Sequence, residues 1–230
     1  MKLIIYTHTD YLDIYIIQQQ HILDLGINPS DIIIFSNIIH PIYKFKTICY
    51  TDSNQYAARV LECISKVNRD EYEYFLFCHD NDIIISYNEP GLNELSAYIK
   101  NTGIDRVDLC CYDGDNIVST PNNIQLVKNY GFYLYSVGPS IWNIHTYIDV
   151  IANNIHSNYR NLEGPATEYM KHRYNVYNIY STTYKMFMGR KFIPEFSWLH
   201  ITSGGKYAWD PHSEFHPYVE NLRIKYNIRR

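Results

Sequence analysis

With 230 residues, 46% of them hydrophobic and 19% charged, the chain has the composition of a globular protein that can bury one sizeable α/β core. A formal net charge of -4 argues against duplex-DNA binding, which requires a basic face, so no nucleic-acid partner is expected and any phosphate handled is a small one. There is no signal-peptide pattern and no apolar run of roughly 18 residues that would span a membrane, so the expected protein is soluble and cytoplasmic. Cys49, Cys63, Cys78, Cys110 and Cys111 form no Cys-x-x-Cys pair, which favours reduced core thiols over disulfides or zinc. The 24 tyrosines accompany an Ile- and Asn-rich composition of the kind AT-rich coding produces, so none is assigned a role by count.

The first predicted strand covers residues 2–6 and is followed by Thr7-His8-Thr9-Asp10. A helix is expected over 12–25, with Asp10 as its N-cap, Leu12, Ile16, Gln20 and Leu23 near one face, and Gly26 as its stop. A strand over 31–35 completes a βαβ unit, which implies a parallel sheet whose ligands gather at the carboxyl ends of the strands. Thr7, His8 and Thr9 would then stand at the ligand edge. No Gly-x-Gly-x-x-Gly follows the first strand, which argues against a Rossmann dinucleotide fingerprint. A third strand is expected over 46–50. Thr51-Asp52-Ser53-Asn54 would cap a helix over 55–67, whose packed face is Tyr56, Val60, Cys63 and Val67, with Arg59 at its edge.

The apolar run 74–78 reads as a buried strand that stops on Asp80-Asn81-Asp82. Two carboxylates one residue apart at a strand end can be aimed at one point, and oxygen ligands suit Mg²⁺ or Mn²⁺. The same three letters also make an ordinary solvated turn. Beyond it lie a strand over 83–87 and a turn at Asn88-Glu89-Pro90-Gly91. Strands are expected over 107–112 and 130–137, the latter running on to Ser140-Ile141-Trp142, and a helix over 144–155. Asp113-Gly114-Asp115 is a rival acidic pair, assigned to a turn because Asp-Gly is a strong turn signal. Glu163-Gly164-Pro165-Ala166-Thr167-Glu168 leads into a short helix through Tyr169 to about Arg173, with Pro165 at its first position and Glu168 in its first turn. A carboxylate there is either dipole-stabilised or a general base. Near the end, His200 closes an apolar segment and precedes Gly204-Gly205-Lys206, a pair of glycines and a cation that can cradle phosphate. Among His200, His212 and His216, His200 is ranked first to complete a metal site begun by Asp80 and Asp82.

Taken together, the Thr-His-Thr start, Arg59, Asp80-Asn81-Asp82, the segment ending Pro139-Ser140-Ile141-Trp142, the Glu-bearing helix start and His200 with Gly205-Lys206 resemble a small GT-A glycosyltransferase. The chain most resembles the glycosyltransferase domain encoded by chlorella viruses and other large DNA viruses, over nearly its whole length. The resemblance implies a Rossmann-like α/β fold with a mixed, mainly parallel sheet flanked by helices. One domain, 1–230, would divide into a nucleotide-binding half of about 1–87 and an acceptor-side half of about 105–230. It implies that Asp80 and Asp82, with His200, hold Mn²⁺ or Mg²⁺ against the diphosphate of a nucleotide sugar, commonly a UDP-sugar. Thr7, His8, Thr9, Arg59 and Asp80 would line the donor pocket, and Gly205 and Lys206 would approach the diphosphate. Glu168, with Glu163 close behind, would take the acceptor proton if the enzyme inverts. A glycan or protein-linked acceptor, and viral glycan synthesis in host cytoplasm, follow from the same resemblance. Two rivals stand beside it: a metal-dependent phosphohydrolase on the same carboxylates, and a non-catalytic sugar-nucleotide or glycan-binding module.

Overall fold

The computed structural model describes residues 1–230 except 70–71, 113, 132, 181–195, 204–205, 208–215, 226 and 228–230. In chain order the elements are β1 (Lys2–Tyr6), α1 (Leu12–Asp24), β2 (Ile32–Ser36), β3 (Lys46–Cys49), α2 (Tyr56–Ile64), β4 (Tyr74–His79), β5 (Asp82–Tyr87) and α3 (Glu89–Thr102). The second half contributes β6 (Arg106–Tyr112), β7 (Ile117–Ser119), β8 (Gln125–Lys128), β9 (Ser140–Asn143), α4 (Ile144–Ala152) and α5 (Glu163–Met170). It closes with β10 (Val176–Tyr180), β11 (Phe196–His200), β12 (Thr202–Ser203), β13 (Lys206–Tyr207) and α6 (His216–Lys225).

A nine-stranded sheet runs in the order β3-β2-β1-β4-β9-β6-β10-β8-β7. Its first four strands are mutually parallel, β9 is antiparallel to both β4 and β6, and β10 is again parallel to β6. This is the α/β architecture expected, a mainly parallel mixed sheet with helices on both faces. Alternation along the strands sends Leu3 and Ile5 to a cluster with Tyr15 and Ile22 of α1 and Leu92, Leu95 and Ile99 of α3. Ile4 and Tyr6 go to the opposite cluster, against α2, α4 and α5. Strands covered on both faces are apolar at nearly every position, which is why β1, β2 and β4 were readable as plain runs. Cys49, Cys63, Cys78 and Cys110 are free thiols, as expected. Among the described residues no helix is long and apolar enough to cross a membrane.

Several local expectations are corrected. α1 buries Ile14, Tyr15, Ile17, Gln18, Gln19 and Ile22, whereas Leu23 on the anticipated face is 39% exposed. The helix has apolar residues on more than one side, and its two buried glutamines decide the face. Gln19 receives Lys44 N–H at 2.8 Å and donates to the Ile42 carbonyl at 3.0 Å, and Gln18 does the same for β5. A short 3₁₀ turn, Thr9–Tyr11, precedes α1, so Asp10 is not its N-cap; His8 Nδ1 accepts from Asp10 N–H instead. α2 starts at Tyr56 with no side-chain cap, although its packed face is the one predicted.

Asn88-Glu89-Pro90-Gly91 is the start of α3 and not a bare turn: Asn88 caps it, Pro90 sits in its first turn and Gly103 ends it at φ +64°. The described residues of 130–137 are irregular. Arg106, fully buried, reaches into this segment and donates to the Leu134 carbonyl, and to Ser136 Oγ and Asp108 Oδ2 at 2.8 Å each. The neighbours of β6 in the sheet are β9 and β10, which leaves no edge for that segment to pair with. Asp113 lies outside the described residues; a Cβ on Gly114 would stand 2.7 Å from Val127 Cγ2, which fits close packing of that turn.

Candidate active site

A cavity of about 950 Å³ opens at the carboxyl ends of β1 and β4. Thr7 follows β1 directly, and the turn after β4 carries Asp80 and Asn81, so the parallel pairing of β1 with β4 brings the two loops together. Thr7 Oγ1 donates to Asp80 Oδ2 at 2.6 Å, and Asp80 N–H donates to the Tyr6 carbonyl at 3.0 Å. Burial raises the Asp80 carboxyl; the Thr7 hydroxyl opposes this and the nearby Asp82 charge adds to it, leaving its pKa at about 7. Among the described residues Asp80 has no cationic side chain as a partner.

Asp82 begins β5 and is 2% exposed. Its Oδ2 takes His79 N–H at 3.1 Å, which closes the turn, and its Oδ1 meets His200 Nδ1 at 2.8 Å. That meeting is a consequence of sheet register, because β11 pairs antiparallel with β5 and sets His200 opposite Asp82. His200, 118 positions further along the chain, is thus brought to the corner where Asp80 and Asp82 stand. They are not a ready cage: among the described residues no group of three or more His, Cys, Asp or Glu side chains could hold a metal ion. The donor set nevertheless fits a hard cation. Mg²⁺ and Mn²⁺ are commonly held by one or two carboxylates, with water and phosphate oxygens completing the shell, and a buried carboxylate without a cationic partner favours such a charge.

The remaining expectations divide. His8 lines the cavity mouth, its Nε2 3.0 Å from Asp52 Oδ1. Arg59 lines it too, with its guanidinium 3.1 Å from Asp52, hydrogen-bonded to the Asn54 and Asp52 carbonyls and 5.3 Å from the centre of the Tyr50 ring. Thr9 does not line the cavity: its hydroxyl accepts from Asn37 Nδ2 at 2.9 Å and its N–H donates to Asn37 Oδ1 at 3.0 Å. Glu168 is misplaced in the expectation. α5 begins at Glu163, two residues before Pro165, so Glu168 falls in the last turn, 73% exposed and 3.9 Å from Lys171. Glu163 holds the first turn, its Oε1 accepting Val137 N–H at 3.0 Å. Trp142 belongs to the core: it is 1% exposed, donates to Ser140 Oγ at 2.9 Å and lies 4.7 Å from the Arg106 guanidinium. Gly204, Gly205 and His212 lie outside the described residues, and so do the side chains of Lys206 and His216.

The sequence reading missed the aromatic floor. His79 ends β4, is 4% exposed, and its Nε2 is 2.8 Å from Tyr56 Oη, with the Tyr6, Tyr56, Phe77 and Tyr159 rings within 5.3 to 5.8 Å. Burial holds its pKa down at about 4, so it is neutral. Tyr159 and Arg160 enter from the loop between α4 and α5, and Asp10, Tyr11, Asp52 and Ser53 complete the wall. The signal for Asp52 was present in the capping run; nothing in the local pattern marked Tyr159 or Arg160.

No protein-family profile matches the sequence, and no curated protein does. Solved structures share the fold. A nucleotidyl transferase from Methanothermobacter superposes with a TM-score of 0.50 at 7% identity, over 79% of this chain and 87% of that one. Staphylococcus aureus TarS, residues 1–349 with UDP-GlcNAc, gives 0.47 at 12% identity over 80% of this chain. The chain spans about 60% of the TarS structures it matches. The mannose-1-phosphate geranyltransferase of Thermus thermophilus gives 0.46 at 10% identity, over 92% and 80% of the two chains. The chain shares its Rossmann-like α/β fold with the Methanothermobacter nucleotidyl transferase.

Proposed function

We propose that this chain is a nucleotide-sugar transferase: a metal-dependent glycosyltransferase that moves a sugar from a nucleoside-diphosphate donor, a UDP-sugar by preference, to a glycan or protein-linked acceptor. The observation that carries the reading is the corner where Asp80, bonded to Thr7, and Asp82, bonded to His200, meet a cavity large enough for a nucleotide at the carboxyl ends of parallel strands. Asp80 and Asp82, with His200 beside them, would hold Mg²⁺ or Mn²⁺. When bound, that ion supplies positive charge against the diphosphate.

The rest of the chemistry belongs to the chain's own groups. Thr7 orients Asp80, His8 and Arg59 set the rim around Asp52, and the buried Tyr6 and Tyr56 rings form the floor beneath Tyr159. Glu163 is the carboxylate for the acceptor proton, fixed through one oxygen by Val137 N–H while the other has no hydrogen bond among the described residues. As the acceptor hydroxyl attacks the anomeric carbon, that proton passes to Glu163 and the carbon–phosphate-oxygen bond breaks, releasing nucleoside diphosphate. The fold likeness to a nucleotidyl transferase supports a second reading, in which a nucleoside triphosphate is consumed and pyrophosphate leaves.

Calorimetry with UDP, GDP and TDP, in Mn²⁺ and in chelator, on the wild type and on Asp80→Ala/Asp82→Ala, tests the first reading. Metal-dependent binding of one nucleoside diphosphate, lost in the double variant, is expected. Absence of binding by folded protein in all conditions overturns it, and pyrophosphate release from a nucleoside triphosphate selects the second.

A further inference from the structure

The loop from α4 to α5 places two adjacent residues at the cavity in different ways. Asn158 Oδ1 accepts the N–H groups of Arg160 and Asn161 at 3.0 Å each, which fixes a tight turn. Tyr159 is anchored within that turn, its ring edge-on to His79 and to Tyr56 at 5.3 Å from each. Arg160 follows it on the cavity wall and is exposed, and its guanidinium makes no hydrogen bond or ion pair among the described residues. Arg59, the other arginine on the wall, is already committed to Asp52 and two carbonyls.

The charge balance gives Arg160 its meaning. Among the described residues the cavity is lined by three carboxylates, Asp10, Asp52 and Asp80, and by two guanidinium groups, Arg59 and Arg160. A diphosphate entering this site brings more negative charge to a wall that is already acidic. A guanidinium fork matches phosphate oxygens in pairs, and an arginine on a pre-ordered turn loses little freedom on binding them.

We propose that Arg160, carried by the Tyr159 anchor, is a phosphate-binding residue of this cavity that takes the non-bridging oxygens of a nucleoside diphosphate. The inference rests on the nucleotide-sugar reading and assigns to the loop between α4 and α5 the cation that the sequence had suggested for Lys206.

The test is calorimetry in Mn²⁺ with the best-bound nucleoside diphosphate, its own nucleoside and inorganic pyrophosphate, on wild type, Arg160→Ala and Arg160→Lys, with folding checked by circular dichroism. Arg160→Ala is expected to weaken the diphosphate and pyrophosphate by about tenfold or more and leave the nucleoside within about twofold, with Arg160→Lys recovering part of the loss. Equal losses for nucleoside and diphosphate, or no loss at all, overturn the proposal. Wild type that binds pyrophosphate but no nucleotide defeats the nucleotide-sugar reading alone, and the pyrophosphate series then decides on Arg160. Wild type that binds neither ligand overturns both.

Discussion

Gln18 donates through Nε2 to the Asp82 carbonyl at 2.8 Å and accepts Ile84 N–H through Oε1 at 2.8 Å, so one fully buried amide brackets the backbone on both sides of Ile83. β5 pairs with β11 along one edge, and its other edge turns to α1, where these two backbone groups have no strand to meet them. Gln18 takes the place of that strand and fixes the start of β5, on which Asp82 is carried. Gln18→Leu leaves a buried N–H and a buried C=O unpaired, for an expected loss of about 2–4 kcal/mol. Urea denaturation measures it; a loss below about 0.5 kcal/mol, within the range of ordinary surface changes, would show that the bracket holds nothing.

The two glutamates of α5 should separate cleanly in kinetics. Glu163→Gln keeps an acceptor for Val137 N–H but cannot take a proton, so kcat should fall by about 10²–10⁴ with donor affinity unchanged. Glu168→Gln, on an exposed side chain in the last turn, should leave both constants as they were. Steady-state sugar transfer with calorimetric donor binding separates the outcomes, and equal effects of the two substitutions would remove Glu163 from the reaction.

The elements that proved legible were those whose burial is simple. β1 and β4 lie inside the sheet with both faces covered, so each is an unbroken apolar run, and Asp80 and Asp82 stand out because such a run ends on them. α1 misled because Gln18 and Gln19 are buried for their hydrogen bonds, and hydropathy counts them as solvent-facing. The 130–137 segment misled because its partner is the Arg106 guanidinium, a long-range contact that carries no period. Glu168 was chosen over Glu163 by assuming that Pro165 opens the helix, and α5 starts two residues sooner. His79 was hidden as the last letter of a strand, and Arg160 lies in irregular chain where neither spacing nor composition gives a signal.

A divalent cation and a nucleoside diphosphate should stabilise the fold together more than either does alone, because Asp80 is a buried carboxylate without a cationic partner among the described residues. At a ligand concentration of about 100 times Kd the expected gain is about 2.7 kcal/mol, read as a rise in Tm that chelator reverses. Asp80→Asn should lose that rise while keeping the Thr7 contact, since its amide oxygen still accepts the hydroxyl. A Tm rise that survives in chelator would contradict metal-dependent donor binding.

The second buried charge centre gives a prediction about acid. Asp108 is fully buried; burial pushes its carboxyl up, but the Arg106 guanidinium at 2.8 Å and hydrogen bonds from Ser136 and Cys110 outweigh this and hold it below the ordinary carboxylate range. A carboxylate whose pKa is lower in the folded than in the unfolded chain contributes its full stability above the unfolded value, near 3.8, and loses it as pH falls through the folded value. The wild type should therefore keep this contribution at pH 5 and shed it only in stronger acid. Asp108→Asn leaves Arg106 buried without its counter-charge, at an expected cost of about 3–5 kcal/mol near neutral pH that shrinks toward acid as the wild-type carboxylate is itself neutralised. Denaturation curves for both proteins between pH 7 and pH 3 decide it: a gap that stays constant across this range would mean that Asp108 does not act through its charge.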